Sequence, residues 1–206
     1  MSLKNKRVLI TAGPTWVPID SVRVISNIAT GETGISLADG FNKSGARVTL
    51  ILGPVAGWRL NSKIKILRFN YFSDLRNKLK KELLSKKYDI IVHSAAVSDF
   101  KPKKKAVGKI DSSRNYSLKL VRLPKIIKQI RRIAGRAKLV MFKLESGVSD
   151  ACLLRRAKIA LKHIGADIVV ANKINPYKAF IINKYGEVFP VKKKYFLARE
   201  LLKHIT

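Results

Sequence analysis

The chain has 206 residues, 47% of them apolar, and a single cysteine, Cys152; that length buries a sizeable core without cross-links, and an internal disulfide is excluded. Lys, Arg or Asp interrupts every apolar run before the ~18 to 20 residues a bilayer span requires, and "MSLKNKRVLITAG" lacks the layout of a signal peptide, so a soluble cytoplasmic protein is expected. With 43 Lys and Arg against 13 Asp and Glu the formal charge is +30, a field that attracts polyanions of any kind, but the lysines are spread along the chain rather than gathered in a tail or stripe, which favours a solvated surface over a nucleic-acid interface.

In chain order, "KRVLITA" (6–12) reads as a buried strand bounded by "GPT". The stretch "SVRVISNIATGETG" (21–34) follows, and then "GISLADGFNKSG" (34–45), whose Ile35, Leu37, Ala38 and Phe41 fit one face of a helix ending at Gly45. "ARVTLILG" (46–53) is a second strand, which completes a right-handed crossover unit of a parallel sheet. The alternation continues with a strand at 62–69, an amphipathic helix at 72–87 capped by Ser73, and a strand at 88–97. Residues 101–115 form a lysine-rich polar loop, expected to be mobile and to border an active site. A short strand at 116–121, a helix near 124–134, a strand at 137–144, a helix at 149–165 and a strand at 166–172 come next. The pattern then changes to a β-hairpin over 178–193, turning at Lys184 to Gly186, and a terminal helix at 195–205. The expectation is one domain over 1–206, α/β, Rossmann-like and doubly wound, with helices on both faces of a mostly parallel sheet in three layers.

In such a sheet ligands gather outside the carboxyl ends of the strands, here "TAGPT", "LILGP", "HSAAVSDF", "FKLES" and "VVANK". Small residues there let backbone amides approach a ligand closely. The glycines of "GETG" open a helix, where exposed amides and the helix dipole suit phosphate oxygens. No P-loop lysine and Ser/Thr pair follows them, which speaks against a P-loop kinase or ATPase. None of the six tyrosines has a lysine four residues on, so a short-chain reductase would lack its catalytic pair. His93, His163 and His204 are scattered, and with one cysteine they form no zinc-type cluster. His93 and Cys152 read as packed side chains. What remains is a combination: Arg23 and Asn27 before the first glycines, Asp99 after "SAAVS", and Lys109 in the lysine-rich loop. A fixed guanidinium, a neutral amide, a carboxylate and a loop lysine can handle a nucleotide and a carboxylate substrate without covalent enzyme chemistry.

Six segments, "TAGPT", "PIDSVRVISNIATGETG", "AAVSDF", "KI" in the lysine-rich loop, "FKLES" and "ADIVVAN", occur in the order found in the phosphopantothenoylcysteine synthetases, or phosphopantothenate–cysteine ligases. The chain resembles that family from about residue 7 to its terminal helix. In many bacteria and archaea the synthetase is fused behind a flavin-dependent decarboxylase, for which this sequence has no room, so it resembles the stand-alone form and a separate decarboxylase partner is conceivable. The resemblance implies coupling of 4′-phosphopantothenate to cysteine in coenzyme A biosynthesis. The carboxylate attacks the α-phosphate of CTP, favoured here over ATP, pyrophosphate leaves, and the cysteine amine displaces the nucleotide monophosphate; Mg2+ accompanies the triphosphate, with metal ligands unknown.

Carried over by position, the resemblance gives Asn27 the reacting acyl-phosphate centre and Lys109 the closing triphosphate contact. Gly13, Thr30, Gly31, Gly34, Ala95, Asp99 and Phe142 would bind the nucleotide, and Arg23, Asn27 and Ala96 the phosphopantothenate, Arg23 reaching across a homodimer interface. Three positions depart from the family pattern: Ala29 lacks a hydroxyl, Pro14 lacks an amide donor, and Lys173 stands where Asp is frequent. A Rossmann-type NAD(P) oxidoreductase and a basic nucleic-acid-binding protein are the alternative readings.

Overall fold

A computed structural model describes residues 2–58 and 61–205. Its centre is an eight-stranded sheet built from β1 (Arg7–Ala12), β4 (Arg47–Leu52), β5 (Lys65–Arg68), β6 (Ile90–His93), β9 (Lys138–Leu144), β10 (Ile168–Lys173), β11 (Lys178–Asn183) and β12 (Val188–Val191). Two short antiparallel pairs lie outside it, β2 (Trp16–Pro18) with β3 (Val24–Ser26) and β7 (Phe100–Pro102) with β8 (Leu120–Arg122). The sheet order is β12-β11-β10-β9-β6-β1-β4-β5. From β5 to β10 neighbours run parallel, and β11 and β12 add an antiparallel edge. The α/β, doubly wound expectation holds, with the predicted hairpin as that edge.

The central strands are apolar on both faces because both are covered. Val8, Leu9 and Ile10 are wholly buried, as are Ile91 and Val92. On one face Val8, Ile10 and Ala12 pack with α1 (Glu32–Lys43) and α5 (Leu197–Ile205), the latter entered through a 3₁₀ turn at Lys194–Phe196. On the other Leu9 and Ile91 pack with α2 (Phe72–Ser85), α3 (Ile126–Ala134) and α4 (Asp150–Ile164). Each fully buried Leu or Ile contributes about 1.5–3 kcal/mol of transfer free energy. That supply makes the layers stable enough to hold polar loops at the strand ends. Among the described residues no helix is long and apolar enough to cross a membrane.

Some boundaries differ from expectation for local reasons. α2 begins at Phe72 rather than after Ser73, because the carboxylate of Asp74 reaches back to accept the Tyr71 amide at 3.1 Å. The strand expected at 116–121 is confined to Leu120–Arg122, the part that finds a partner in β7. The lysine-rich stretch from 101 therefore begins inside a strand, and the irregular connection runs from 103 to 119. Cys152 is half-buried on α4 rather than in the core.

Candidate active site

β1 leads through α1 to β4 on one side of it, while β6, on its other side, starts the return in the opposite direction. The crevice between the carboxyl ends of β1 and β6 is thus the topological switch point of the sheet. Here the two strand-end loops are joined. The Ala96 amide donates to the Gly13 carbonyl at 3.0 Å, and the Thr15 amide donates to the Ala96 carbonyl at 3.2 Å. Below them the hydroxyl of Thr11 lies 2.8 Å from Nδ1 of His93 and accepts the Ala95 amide at 3.2 Å. Burial pushes the His93 imidazole down to about 4, so the ring is neutral. Thr15 and Ser98 form a second buried pair: the Ser98 amide donates to Thr15 Oγ1 at 2.9 Å, and Thr15 Oγ1 donates to Ser98 Oγ at 3.0 Å. None of these four polar side chains was singled out as a functional residue from sequence; together they hold the crevice wall.

The first turn of α1 is pressed against this wall. Gly13 takes φ +82°, and a Cβ there would lie 3.2 Å from the backbone of Gly53. At Gly34 a Cβ would meet Ala12 Cβ at 2.5 Å and Ser94 Oγ at 2.6 Å, so only glycine lets the helix start this close to β1. Gly31 caps the helix in the left-handed conformation. The consequence is an N-terminus whose free amides open beside the strand-end loops. Thr30 is exposed at that opening and accepts the Glu32 amide at 3.4 Å.

Between β1 and α1 the chain makes the β2–β3 hairpin. Its three-residue strands pair Trp16 with Ser26 and Pro18 with Val24, and Trp16 stacks edge-on against Tyr71 at 6.2 Å. The hairpin returns Asn27 to the crevice, where its Nδ2 donates to the Ala96 carbonyl at 3.1 Å. The amide oxygen of Asn27 stays available, and the side chain is exposed. At the hairpin turn Arg23 donates from Nη1 to Asp20 Oδ2 at 2.8 Å and to the Ile110 carbonyl at 3.1 Å. Its side chain is 40% exposed, leaving the rest of the guanidinium fork facing outward.

Asn27, Ala96 and Gly13 are therefore linked through one set of hydrogen bonds, with Gly31, Gly34 and Ala95 packed beside or bonded to it. Lys109 joins from the 103–119 connection, exposed and in no ion pair among the described residues, with its neighbours Gly108 and Ile110 bonded to the hairpin turn. Phe142 is half-buried near the end of β9 and packs against the α1 and α5 side of the core. Asp99 differs from a free carboxylate: Lys125 donates to its Oδ1 at 2.5 Å, and its carbonyl accepts the Leu123 amide. Lys173, the added charge at the end of β10, donates to Asp150 and to the Val148 carbonyl. No group of three His, Cys, Asp or Glu side chains among the described residues is placed to hold a metal ion.

The crevice belongs to a recognisable kind of chain. The family described as "DNA/pantothenate metabolism flavoprotein C-terminal domain" matches residues 3–206. The coenzyme A biosynthesis bifunctional protein CoaBC of Thermococcus kodakarensis is 37% identical over 181 residues, covering 85% of this chain and 43% of that protein. Its counterpart from Borreliella burgdorferi is 34% identical over 210 residues, covering 98% of this chain and 52% of the relative. The chain thus spans about half the length of these curated relatives. A crystal structure of the C-terminal domain of a CoaBC protein superposes with a TM-score of 0.80 at 27% identity, over 98% of this chain and 95% of that one. A DNA/pantothenate metabolism flavoprotein from Streptococcus pneumoniae shares the fold with a TM-score of 0.87. The chain belongs to the family of the DNA/pantothenate metabolism flavoprotein C-terminal domain.

Proposed function

We propose that the chain is a phosphopantothenate–cysteine ligase. It would join 4′-phosphopantothenate to cysteine through an acyl-nucleotide intermediate, with release of pyrophosphate, in coenzyme A biosynthesis. Family membership supports this reading, and the observation that carries it is the position of Asn27, fixed by the Ala96 carbonyl at the switch point beside the first turn of α1. A nucleoside triphosphate would place its phosphates against the amides of Gly13 and the Gly31–Gly34 turn, with Thr30 at their edge and Ala95, Asp99 and Phe142 along the nucleotide. Lys109 would face the departing pyrophosphate and neutralise charge that grows there.

In the first half-reaction a carboxylate oxygen of phosphopantothenate bonds to the α-phosphorus, and the bond from that phosphorus to pyrophosphate breaks. In the second the cysteine nitrogen bonds to the acyl carbon, the nucleotide monophosphate leaves with the acyl oxygen, and the amine loses a proton. Asn27 suits both steps because an amide can orient the acyl group and contact a developing oxyanion without adding charge. Arg23 and Ala96 would border the phosphopantothenate. The outward part of the Arg23 fork is free to meet that ligand from a second copy of the chain, so a homodimer is part of the proposal. Magnesium would travel with the triphosphate, held chiefly by phosphate oxygens and water, since Asp99 is engaged by Lys125. The phosphates, rather than the base, contact the features above, and CTP is taken as the preferred nucleotide on the family resemblance. The oxidoreductase alternative lacks its Tyr and Lys pair.

The test is pyrophosphate release measured with CTP and with ATP in parallel. Release should require 4′-phosphopantothenate, and addition of cysteine should yield the amide by mass. Absence of release with either nucleotide would overturn the ligase reading; a higher kcat/KM with ATP would overturn only the nucleotide preference.

A further inference from the structure

Asp20 has no part in the assignments above, yet it is one of only two buried carboxylates among the described residues, the other being Glu82. Its side chain has no exposed surface. Oδ1 accepts the amides of Val22 at 2.7 Å and Arg23 at 2.6 Å; Oδ2 accepts Arg23 Nη1 at 2.8 Å and the Ile110 amide at 3.0 Å. The first two bonds are a local turn of the kind an aspartate makes with its own chain. The last bond is different, because Ile110 is 90 residues away and follows Lys109 directly.

Three further bonds join the same two segments. The Ala106 amide donates to the Ile19 carbonyl at 3.0 Å, the Ser21 amide donates to the Gly108 carbonyl at 3.1 Å, and Arg23 Nη1 donates to the Ile110 carbonyl at 3.1 Å. Lys109 therefore sits between two anchored residues while its own side chain is exposed. An ionised carboxylate that accepts four donors is the strongest link in this set. The Ile110 amide, followed by those of Val22 and Arg23 and the charge of Arg23, holds the Asp20 carboxyl well below the usual carboxylate range despite its burial.

We propose that Asp20 is a positioning residue that ties the Lys109 segment to the Arg23 hairpin, so that the nucleotide-facing and phosphopantothenate-facing cations are set as one unit. Together with the Ala106–Ile19, Ser21–Gly108 and Arg23–Ile110 bonds, this tie holds the backbone on both sides of Lys109. What Arg23 and Lys109 meet rests on the ligase reading; the tie itself does not.

Asp20→Asn is close to isosteric and tests it. An asparagine keeps an acceptor toward only one pair of donors, and if its oxygen turns to Ile110 and Arg23 Nη1 the link between the segments survives; Asp20→Ala, which removes both acceptors, excludes that escape. In the unliganded wild-type protein the Ala106 and Ile110 amides, the two of this segment that donate, should show slowed hydrogen exchange. In Asp20→Ala that exchange, and trypsin cleavage after Lys105 and Lys109, should speed at least about tenfold, as expected when charge-assisted bonds are lost. In the active enzyme kcat/KM for the nucleotide and for 4′-phosphopantothenate should fall together. Glu82→Gln, at the other buried carboxylate, should leave exchange at Ala106 and Ile110 and both kinetic constants as in wild type. Wild-type exchange at the random-coil rate would overturn the proposal even if a variant failed to fold. So would protection unchanged in both Asp20→Asn and Asp20→Ala, or a kinetic loss confined to one substrate. Exchange and proteolysis need no turnover, so a chain that released no pyrophosphate would refute the ligase reading and leave the tie to be decided on its own.

Discussion

The two ends of the parallel sheet carry different kinds of hollow. At the amino ends of β1, β4 and β5 a cavity of about 680 Å³ is lined by Arg7, Lys43, Arg47, Lys63, Lys65 and Lys86, with no carboxylate in its wall. At the carboxyl ends the crevice is made of glycines, alanines and backbone amides, with few charges. By net charge the amino end is the better anion trap. It is nevertheless the less organised of the two: its cations stand on flexible stems, and Lys65 and Lys86 share the buried carboxylate of Glu82 at 3.5 and 2.6 Å. Crowding by Lys86, together with burial, lowers the Lys65 pKa, whereas the bond that Lys86 donates to Glu82 raises its own. At the carboxyl end the donors are fixed before any ligand arrives, which is the condition for electrostatic stabilisation of a transition state. Organisation of donors, not density of charge, separates the candidate site from the surface.

The largest effect that would sharpen this contrast is expected at Asn27. Asn27→Asp keeps the size of the side chain and replaces a neutral group with a charged one at the reacting centre. It should still form the acyl-nucleotide but transfer it to cysteine at least about 100-fold more slowly, the scale set by removal of one oxyanion donor. Quenched-flow detection of the intermediate together with amide yield by mass checks both halves. Product formation at the wild-type rate would remove Asn27 from the chemistry.

A smaller effect follows from His93, which supports the crevice without facing it. Its pKa falls from an ordinary 6.5 to about 4 on folding, because the buried ring is costly to charge. Below pH 6.5 the unfolded chain takes up a proton that the folded one refuses, so stability falls as pH falls from about 6.5 to about 4. By pH 5 the loss from this residue is about 2 kcal/mol relative to pH 7. Urea unfolding at the two pH values should show that loss in the parent and little of it in His93→Asn. An equal loss in both proteins would mean that the ring is not held neutral by burial.

The same contrast explains what the sequence discloses. The parallel sheet is legible because β1, β4 and β6 are apolar on both faces, a pattern that only covered strands show. The crevice is legible in part, since "TAGPT" and "HSAAVSDF" place small residues at strand ends and "GETG" opens a helix. The β2–β3 hairpin is not, because strands of three residues leave no periodicity to read. Asp20 is hidden for another reason. Its local signal, an aspartate two and three residues before the amides it accepts, is that of any turn, and the partner that gives it importance lies 90 residues on. The pairing of Asp99 is equally silent in the sequence, because only the fold brings Lys125 to it from 26 residues on. Long-range pairings of polar groups carry no period, so sequence patterning cannot announce them.

The smallest effect is expected where the charge is greatest. Arg47 and Lys63 line the amino-end cavity, are exposed, and form no ion pair among the described residues. Replacing both with glutamine removes two charges from a chain with an excess of thirty. Pyrophosphate release should be unchanged, and stability should stay within about 0.5 kcal/mol of the parent, as for surface positions without packing or hydrogen-bond roles. Because a large net charge opposes compaction, the small shift should be toward higher stability at low salt and should shrink as the Debye length falls from about 30 Å at 0.01 M to about 3 Å at 1 M. A marked loss of turnover in Arg47→Gln/Lys63→Gln would instead place part of the anion-handling machinery at the amino end, and the distinction between organised and merely charged hollows would have to be given up.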